Sequence, residues 1–152
     1  MTEKMIIAVV GATGRQGGGL VRAILADPQG PFTVRALTRN ADSGKAHEFA
    51  SQGVEVVEAD LDDAASVRTA FDRAYGAFVV TNFWAQQTPE QEKARTRAEM
   101  ELAQAAAATR AAKDAGLRHV VWSALEDTRP HFQRVGGDVP TILGTYNVRI
   151  ST

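Results

Sequence analysis

Three glycines stand at intervals of three near the start of the chain. They are Gly11, Gly14 and Gly17, in the stretch "VVGATGRQGGG" from Val9 to Gly19. They follow a continuous apolar run, "MIIAVV" (Met5–Val10), and precede Leu20, Val21, Ile24 and Leu25, which recur at helical spacing. A strand, a glycine turn and a helix in that order can hold an anion. So tight a turn needs a residue free of Cβ clashes. A diphosphate must reach the backbone N–H groups at the helix N-terminus, so side chains must be missing there. The third glycine lets the helix pack close to the sheet. In this context the motif predicts a dinucleotide-binding turn rather than an ordinary strand–helix connection. Gly18 and Gly19 read as surplus, each softening the first helical turn by about 1 kcal/mol relative to alanine.

The end of the second strand bears on which dinucleotide. An NAD site places an acidic residue about 20 positions on, to hold the ribose hydroxyls. Here the strand ends Leu37-Thr38-Arg39-Asn40, with Arg35 upstream and Lys45 downstream. A guanidinium can take a 2′-phosphate through two parallel hydrogen bonds. The charge pattern therefore favours NADP(H) over NAD(H). Two other readings stand beside it: Asp42 serves the ribose, or Arg39 is simply a solvated charge. Further along, Asp60 either accepts from the adenine amino group or caps the third helix. Thr81-Asn82-Phe83-Trp84 ends the fourth strand, where the nicotinamide ribose would lie. Phe83 and Trp84 there either wall a planar ligand or pack under the following helix.

These residues need a scaffold, and the chain reads as an alternating one. Strands are expected at Met5–Val10, Phe32–Arg39, Val54–Asp60, Gly76–Asn82 and Leu117–Ala124. Helices are expected between them: around Leu20–Leu25, Ser43–Gln52 (stopped by Gly53), Leu61–Ala74, and one long helix from Pro89 to Ala115, capped by Gly116. Alternating strands and helices joined by right-handed crossovers predict an α/β fold. Its form is a Rossmann-like, doubly wound parallel sheet of about five strands in the order 3-2-1-4-5, with helices on both faces. Ligands bind beyond the carboxyl ends of such strands. The expected division is a nucleotide-binding domain over residues 1–125 and an irregular tail over 126–152, where Pro130, Gly136, Gly137, Pro140 and Gly144 interrupt any pattern.

Composition bounds the rest. The 152 residues suit one domain, with 44% hydrophobic and 23% charged residues and a formal net charge of −1. That charge gives no global support for gripping nucleic acid. Without cysteine there is no disulfide framework, thiolate metal site or thiol nucleophile. No run approaches the roughly 18 apolar residues of a membrane span. The apolar segment after "MTEKM" is too short for a secretory signal. The expectation is a soluble cytoplasmic protein.

Six blocks, "VVGATGRQGGG", "VRALTRN", "VEVVEADLDD", "FVVTNFW", "EMELAQA" and "AGLRHVVWSALED", occur in this order from Ile6 to about Asp127. Together they resemble the NmrA-like family, atypical members of the short-chain dehydrogenase superfamily. The resemblance implies a Rossmann-type domain that prefers NADP(H). Family members include redox-sensing regulators without enzymatic activity, and some quinone or related reductases. By resemblance, Gly11, Thr13, Gly14, Arg15, Gln16 and Gly17 hold the pyrophosphate. Arg39 and Asn40 hold the 2′-phosphate end, Asp60 and Leu61 lie at the adenine, and Thr81, Asn82 and Phe83 lie near the nicotinamide.

The sequence also departs from that family. The stretch between Trp84 and "EMELAQA" is longer, and Ala106 stands near where the family often has lysine. The family's His-Phe-Asp-x-Lys-x-Glu helix, a sixth strand and a C-terminal substrate domain are expected to be absent. The Tyr/Lys pair that moves protons in short-chain dehydrogenases has no match. Tyr75 precedes a strand, and Ile150 rather than lysine follows Tyr146 by four. Ser123 sits where the superfamily keeps its serine, but alone it moves no proton. His47, His119 and His131 are scattered without metal-like spacing, so no metal site is expected. The resulting expectation is an NADP(H)-binding, redox-sensor type of protein without efficient catalysis. The alternative is an NAD(P)H-dependent quinone-type reductase. The alanine-rich helix suggests a homodimer, and a regulatory role implies a protein partner.

Overall fold

The computed structural model describes residues 3–124. The tail over 126–152, with Tyr146 and His131, lies outside the described residues. Ten elements follow one another: β1 Met5–Val9, α1 Arg15–Leu25, β2 Phe32–Thr38, α2 Gly44–Ser51, β3 Glu55–Glu58, α3 Ala64–Phe71, β4 Gly76–Val80, α4 Pro89–Ala94, α5 Arg97–Asp114 and β5 His119–Ser123. The strands form one sheet in the order β3-β2-β1-β4-β5, every pairing parallel. This is the expected Rossmann-like order.

Alternate residues of β1 to β4 feed two cores, one on each face. Ala8, Val10, Leu37, Ala77 and Val79 pack with Val67, Ala70 and Phe71 of α3 and with Ala108, Ala111 and Ala112 of α5. Val9, Val34 and Ala36 pack on the other face with Val21 of α1 and Phe49 of α2. Phe71 is fully buried, and its truncation to alanine would cost about 3–5 kcal/mol by the usual core penalty. Ala107 is buried too, and Ala108, Ala111 and Ala112 lie against this same core. Their small size lets α5 lie close to α3 and the sheet, so most of the alanine stripe is used within the chain. No helix among the described residues is long and apolar enough to cross a membrane.

Two helices differ from expectation. The single long helix is two, separated at Arg95, whose backbone is extended at φ −153° and ψ 145°. Thr96 breaks it by starting a new helix: its hydroxyl accepts from the Glu99 N–H, and the Glu99 carboxylate accepts from the Thr96 N–H. This reciprocal capping box satisfies two donors that a continuous helix would bond elsewhere. Thr88 and Gln91 make a second capping box at α4. The third helix starts later than Leu61, because Asp63 caps it by accepting from the Ala65 and Ser66 N–H groups. It ends at Phe71, before Arg73, whose φ of 58° no helix tolerates. Gly53 and Gly116, at φ 80° and 65°, close α2 and α5 as anticipated.

Candidate functional site

A cleft of about 500 Å³ opens beyond the carboxyl ends of β1 to β4. Its floor is the glycine turn. Gly11 adopts φ 64°, which frees its carbonyl to accept from the Gly14 N–H at 2.9 Å. A Cβ on Gly17 would collide with that carbonyl group, lying 2.7 Å from the Gly11 carbonyl carbon. The third glycine is therefore required by the turn itself as much as by the sheet. Gly14 stands at the N-cap position with no side-chain cap, and the first N–H used inside α1 is that of Gly18, to Gly14 O at 2.9 Å. The Arg15, Gln16 and Gly17 N–H groups remain orphan donors at a helix N-terminus. With no side chain between them and the cleft, this cradle fits a diphosphate. Gly18 is not surplus: it is buried, and a Cβ there would meet Ala12 O at 3.1 Å, whereas one on Gly19 would meet nothing within 4 Å.

Of the sequence-predicted residues, Gly11, Thr13, Gly14, Arg15, Gln16, Gly17, Arg39, Asn40, Asp60, Leu61, Thr81 and Asn82 all line the cleft. Phe83 does not. Its carbonyl, like that of Ala85, accepts from Arg97 Nη1, at 2.8 and 2.9 Å. Trp84 lies at the tip of this pinned loop and is 84% exposed, with its ring edge-on to Phe83 at 5.0 Å between centroids. It does not pack under the following helix.

The three cations near β2 have separate destinations. The Arg35 side chain is nearly buried: it pairs with Glu55 at 2.8 Å and donates to Ala70 O and Asp72 O. Lys45 Nζ donates to Thr13 O at 3.2 Å, bracing the glycine turn. Arg39 alone of the three lines the cleft. It reaches the side-chain amide of Asn82, whose oxygen, oriented to the guanidinium, accepts from both terminal nitrogens at 3.1 Å. Asp42 is exposed and outside the lining. Its N–H donates to Asn40 Oδ1 in the turn that leads to α2. Asp60 does not cap α3, since Asp63 does; its Oδ1 accepts from the Asp62 N–H at 2.9 Å.

Ser43, Asp62, Ala85 and Gln104 also line the cleft and were not singled out by sequence. Asp62 ties the cleft to the α4–α5 junction by an ion pair with Arg95 at 2.9 Å. Gln104 is 3% exposed and accepts from the Asn82 N–H at 3.1 Å. A signal existed for it: a glutamine set among the buried alanines of α5 needs a polar partner. At the edge of the cleft, Ser123 Oγ donates to Gln16 Oε1 at 2.6 Å, joining the end of β5 to the first turn of α1. Tyr75 sits at the opposite end of the sheet, just before β4 and beside Phe32. His47 and His119 are exposed, on α2 and at the start of β5.

The model of the NmrA-like family matches residues 3–141. The chain belongs to the NmrA-like family. Curated relatives include the NmrA-like family domain-containing oxidoreductase himF of Aspergillus japonicus, 38% identical over 118 residues, covering 78% of this chain and 33% of that protein. The corresponding oxidoreductase malD of Malbranchea aurantiaca is 36% identical over 125 residues, 80% of this chain and 35% of its own length. The chain thus spans about a third of these NmrA-like relatives. Among solved structures, Citrobacter sp. triphenylmethane reductase complexed with NADP(H) is 28% identical at a TM-score of 0.62, over 82% of this chain and 39% of that one. NmrA itself, a negative transcriptional regulator, matches in complex with NADP at 27% identity and a TM-score of 0.64. It also matches in complex with NAD, at 28% and 0.65. Each NmrA match covers 91% of this chain and 37% of the other.

Proposed function

We propose that this chain binds a nicotinamide dinucleotide in the cleft, NADP(H) in preference to NAD(H), and acts as a redox-sensing, regulatory binder without efficient turnover. The observation that carries the reading is Arg39. It is the charged residue at the end of β2 that lines the cleft, and no carboxylate of that strand end joins it there. The helix cradle of Gly11, Thr13, Gly14, Arg15, Gln16 and Gly17 would hold the pyrophosphate. Arg39 and Asn40 would hold the 2′-phosphate, Asp60 and Leu61 the adenine, and Thr81 and Asn82 the nicotinamide side. The bound cofactor would supply a hydride. For the proton that must accompany it, the described lining offers neither tyrosine nor lysine. The solved complexes of NmrA and the reductase support the cofactor class.

Titration with NADPH and NADH, followed by cofactor fluorescence, tests this reading. NADPH should bind more tightly, and Arg39→Glu should remove the difference. Equal or absent binding in the wild type would overturn it.

A second reading, an NAD(P)H-dependent reductase of quinone-like acceptors, is favoured by the oxidoreductase names of the relatives. NADPH oxidation with a panel of quinones, above a blank without protein, would support it. The regulatory reading implies a protein partner. The expected homodimer would use the outer side of α5, where Leu102 is 52% exposed. Light scattering on the eluting species reads that state directly.

A further inference from the structure

Among the described residues three polar side chains are buried, and two of them, Glu101 and Gln104, lie on α5 at 7% and 3% exposure. Both reach the end of β4. The Thr81 hydroxyl donates to Glu101 Oε1 at 2.5 Å, and the Asn82 N–H donates to Gln104 Oε1 at 3.1 Å. Thr81 and Gln104 also line the cleft, whereas Glu101 stands behind Thr81. A carboxylate accepts and does not donate, and a hydroxyl has one proton. A buried carboxylate without a donor is strongly disfavoured, so the proton of Thr81 is held on Glu101. What Thr81 turns to the cleft is then its lone pairs alone. Gln104 is polarised the opposite way. Its oxygen is taken by the Asn82 N–H, so the group left for the cleft is its NH₂, a donor.

We propose that Glu101 is a positioning residue that sets the hydrogen-bonding polarity of the β4 end of the cleft, making Thr81 an obligate acceptor beside the Gln104 donor. The ligand group that fits is one carrying a donor next to an acceptor. A nicotinamide dinucleotide has this chemistry in two places, the carboxamide and the vicinal hydroxyls of the ribose that bears it. The inference rests on the dinucleotide reading above.

Calorimetric titration of the whole chain with NADPH and with 2′-phospho-ADP-ribose tests it. The second ligand keeps that ribose and lacks the nicotinamide. The proteins are wild type, Thr81→Val, Thr81→Ser, Glu101→Gln and the Thr81→Val/Glu101→Gln double variant. Thr81→Val should weaken NADPH about five- to tenfold, the usual effect of one lost hydrogen bond, and Thr81→Ser should stay within about twofold of wild type. Glu101→Gln gives Thr81 a partner that can donate as well as accept. It should weaken NADPH about threefold alone and add nothing to Thr81→Val, because the two act as one unit. Parallel losses with phospho-ADP-ribose assign the pair to the ribose, and losses confined to NADPH assign it to the carboxamide; both outcomes uphold the polarity. A Glu101→Gln loss that is the same in both backgrounds overturns the proposal, as does a Thr81→Val protein that binds like wild type. Should Thr81→Val not fold, Glu101→Gln decides alone, and unchanged NADPH affinity overturns the inference. A wild type that binds neither ligand refutes the dinucleotide reading itself, a result distinct from all of these.

Discussion

Arg39 and Asn82 meet across the cleft from the ends of β2 and β4, with β1 between them. The Asn82 side-chain oxygen lies 3.1 Å from both terminal nitrogens of the guanidinium. The arginine is thus already arranged as a fork, engaged by a neutral amide. A phosphate dianion would compete well for it, because it brings a full opposite charge and two oxygens that match the fork, where the amide offers one neutral oxygen.

The fork geometry gives a sharper prediction than charge reversal. Arg39→Lys keeps the charge and loses the paired donors. It should weaken NADPH about tenfold while leaving NADH within about twofold, since one bidentate charge-assisted contact is lost from one ligand only. Fluorescence titration of both cofactors reads the ratio. An unchanged ratio would mean that charge alone sets the preference.

The glycines of the first turn should divide by position. Gly17→Ala places a methyl against the Gly11 carbonyl, so the turn must deform. Thermal unfolding should show a clear loss of stability, and cofactor binding should fall with it. Gly19→Ala meets nothing within 4 Å and lies inside α1, so it should stabilise the chain by about 0.5–1 kcal/mol through helix propensity. Equal effects at the two positions would contradict the close approach of Gly17 to the Gly11 carbonyl.

Arg35 and Arg39 should separate cleanly in function. Arg35→Met leaves the Ala70 and Asp72 carbonyls without their donor and Glu55 without its partner. Denaturant unfolding should register a loss of about 1–3 kcal/mol, the cost of polar groups left unpaired. The NADPH-to-NADH affinity ratio should not move.

The break between α4 and α5 should carry a pH signature. Hydrogen bonds from the Thr96 backbone N–H and hydroxyl hold the Glu99 carboxyl below its usual 4.5. A group whose pKa is lowered by folding contributes stability above its unfolded pKa and loses it as pH falls through the folded value. Wild type should therefore lose stability relative to Glu99→Gln as pH drops below about 4.5, the usual glutamate value, and the gap should be constant at neutral pH. Parallel melting curves from pH 7 to 3 check this.

Much of the architecture was legible because its signals are local. Short apolar runs in the strands, a period near 3.6 in the helices and glycines at Gly53 and Gly116 are properties of neighbouring residues. The split at Arg95 was local too, written in Thr96 and Glu99, but a run of good helix formers obscured it. Gly18 and Gly19 look alike in sequence, and only the Ala12 carbonyl standing over one of them tells them apart.

The sequence by itself determined the alternation that makes a parallel sheet and the glycine cradle at the helix N-terminus. These follow from patterning and from the absence of Cβ atoms, which need no knowledge of distant residues. Arg35 and Arg39 lie four apart in the strand expected over Phe32–Arg39 and would share its face by period alone. The tertiary structure decided that one is stapled to α3 and β3 while the other enters the cleft, because their partners, Ala70 and Asp72 for one and Asn82 for the other, arrive from more than thirty residues away. The polarity of Thr81 was decided in the same way, by Glu101 on a helix 20 residues further along the chain.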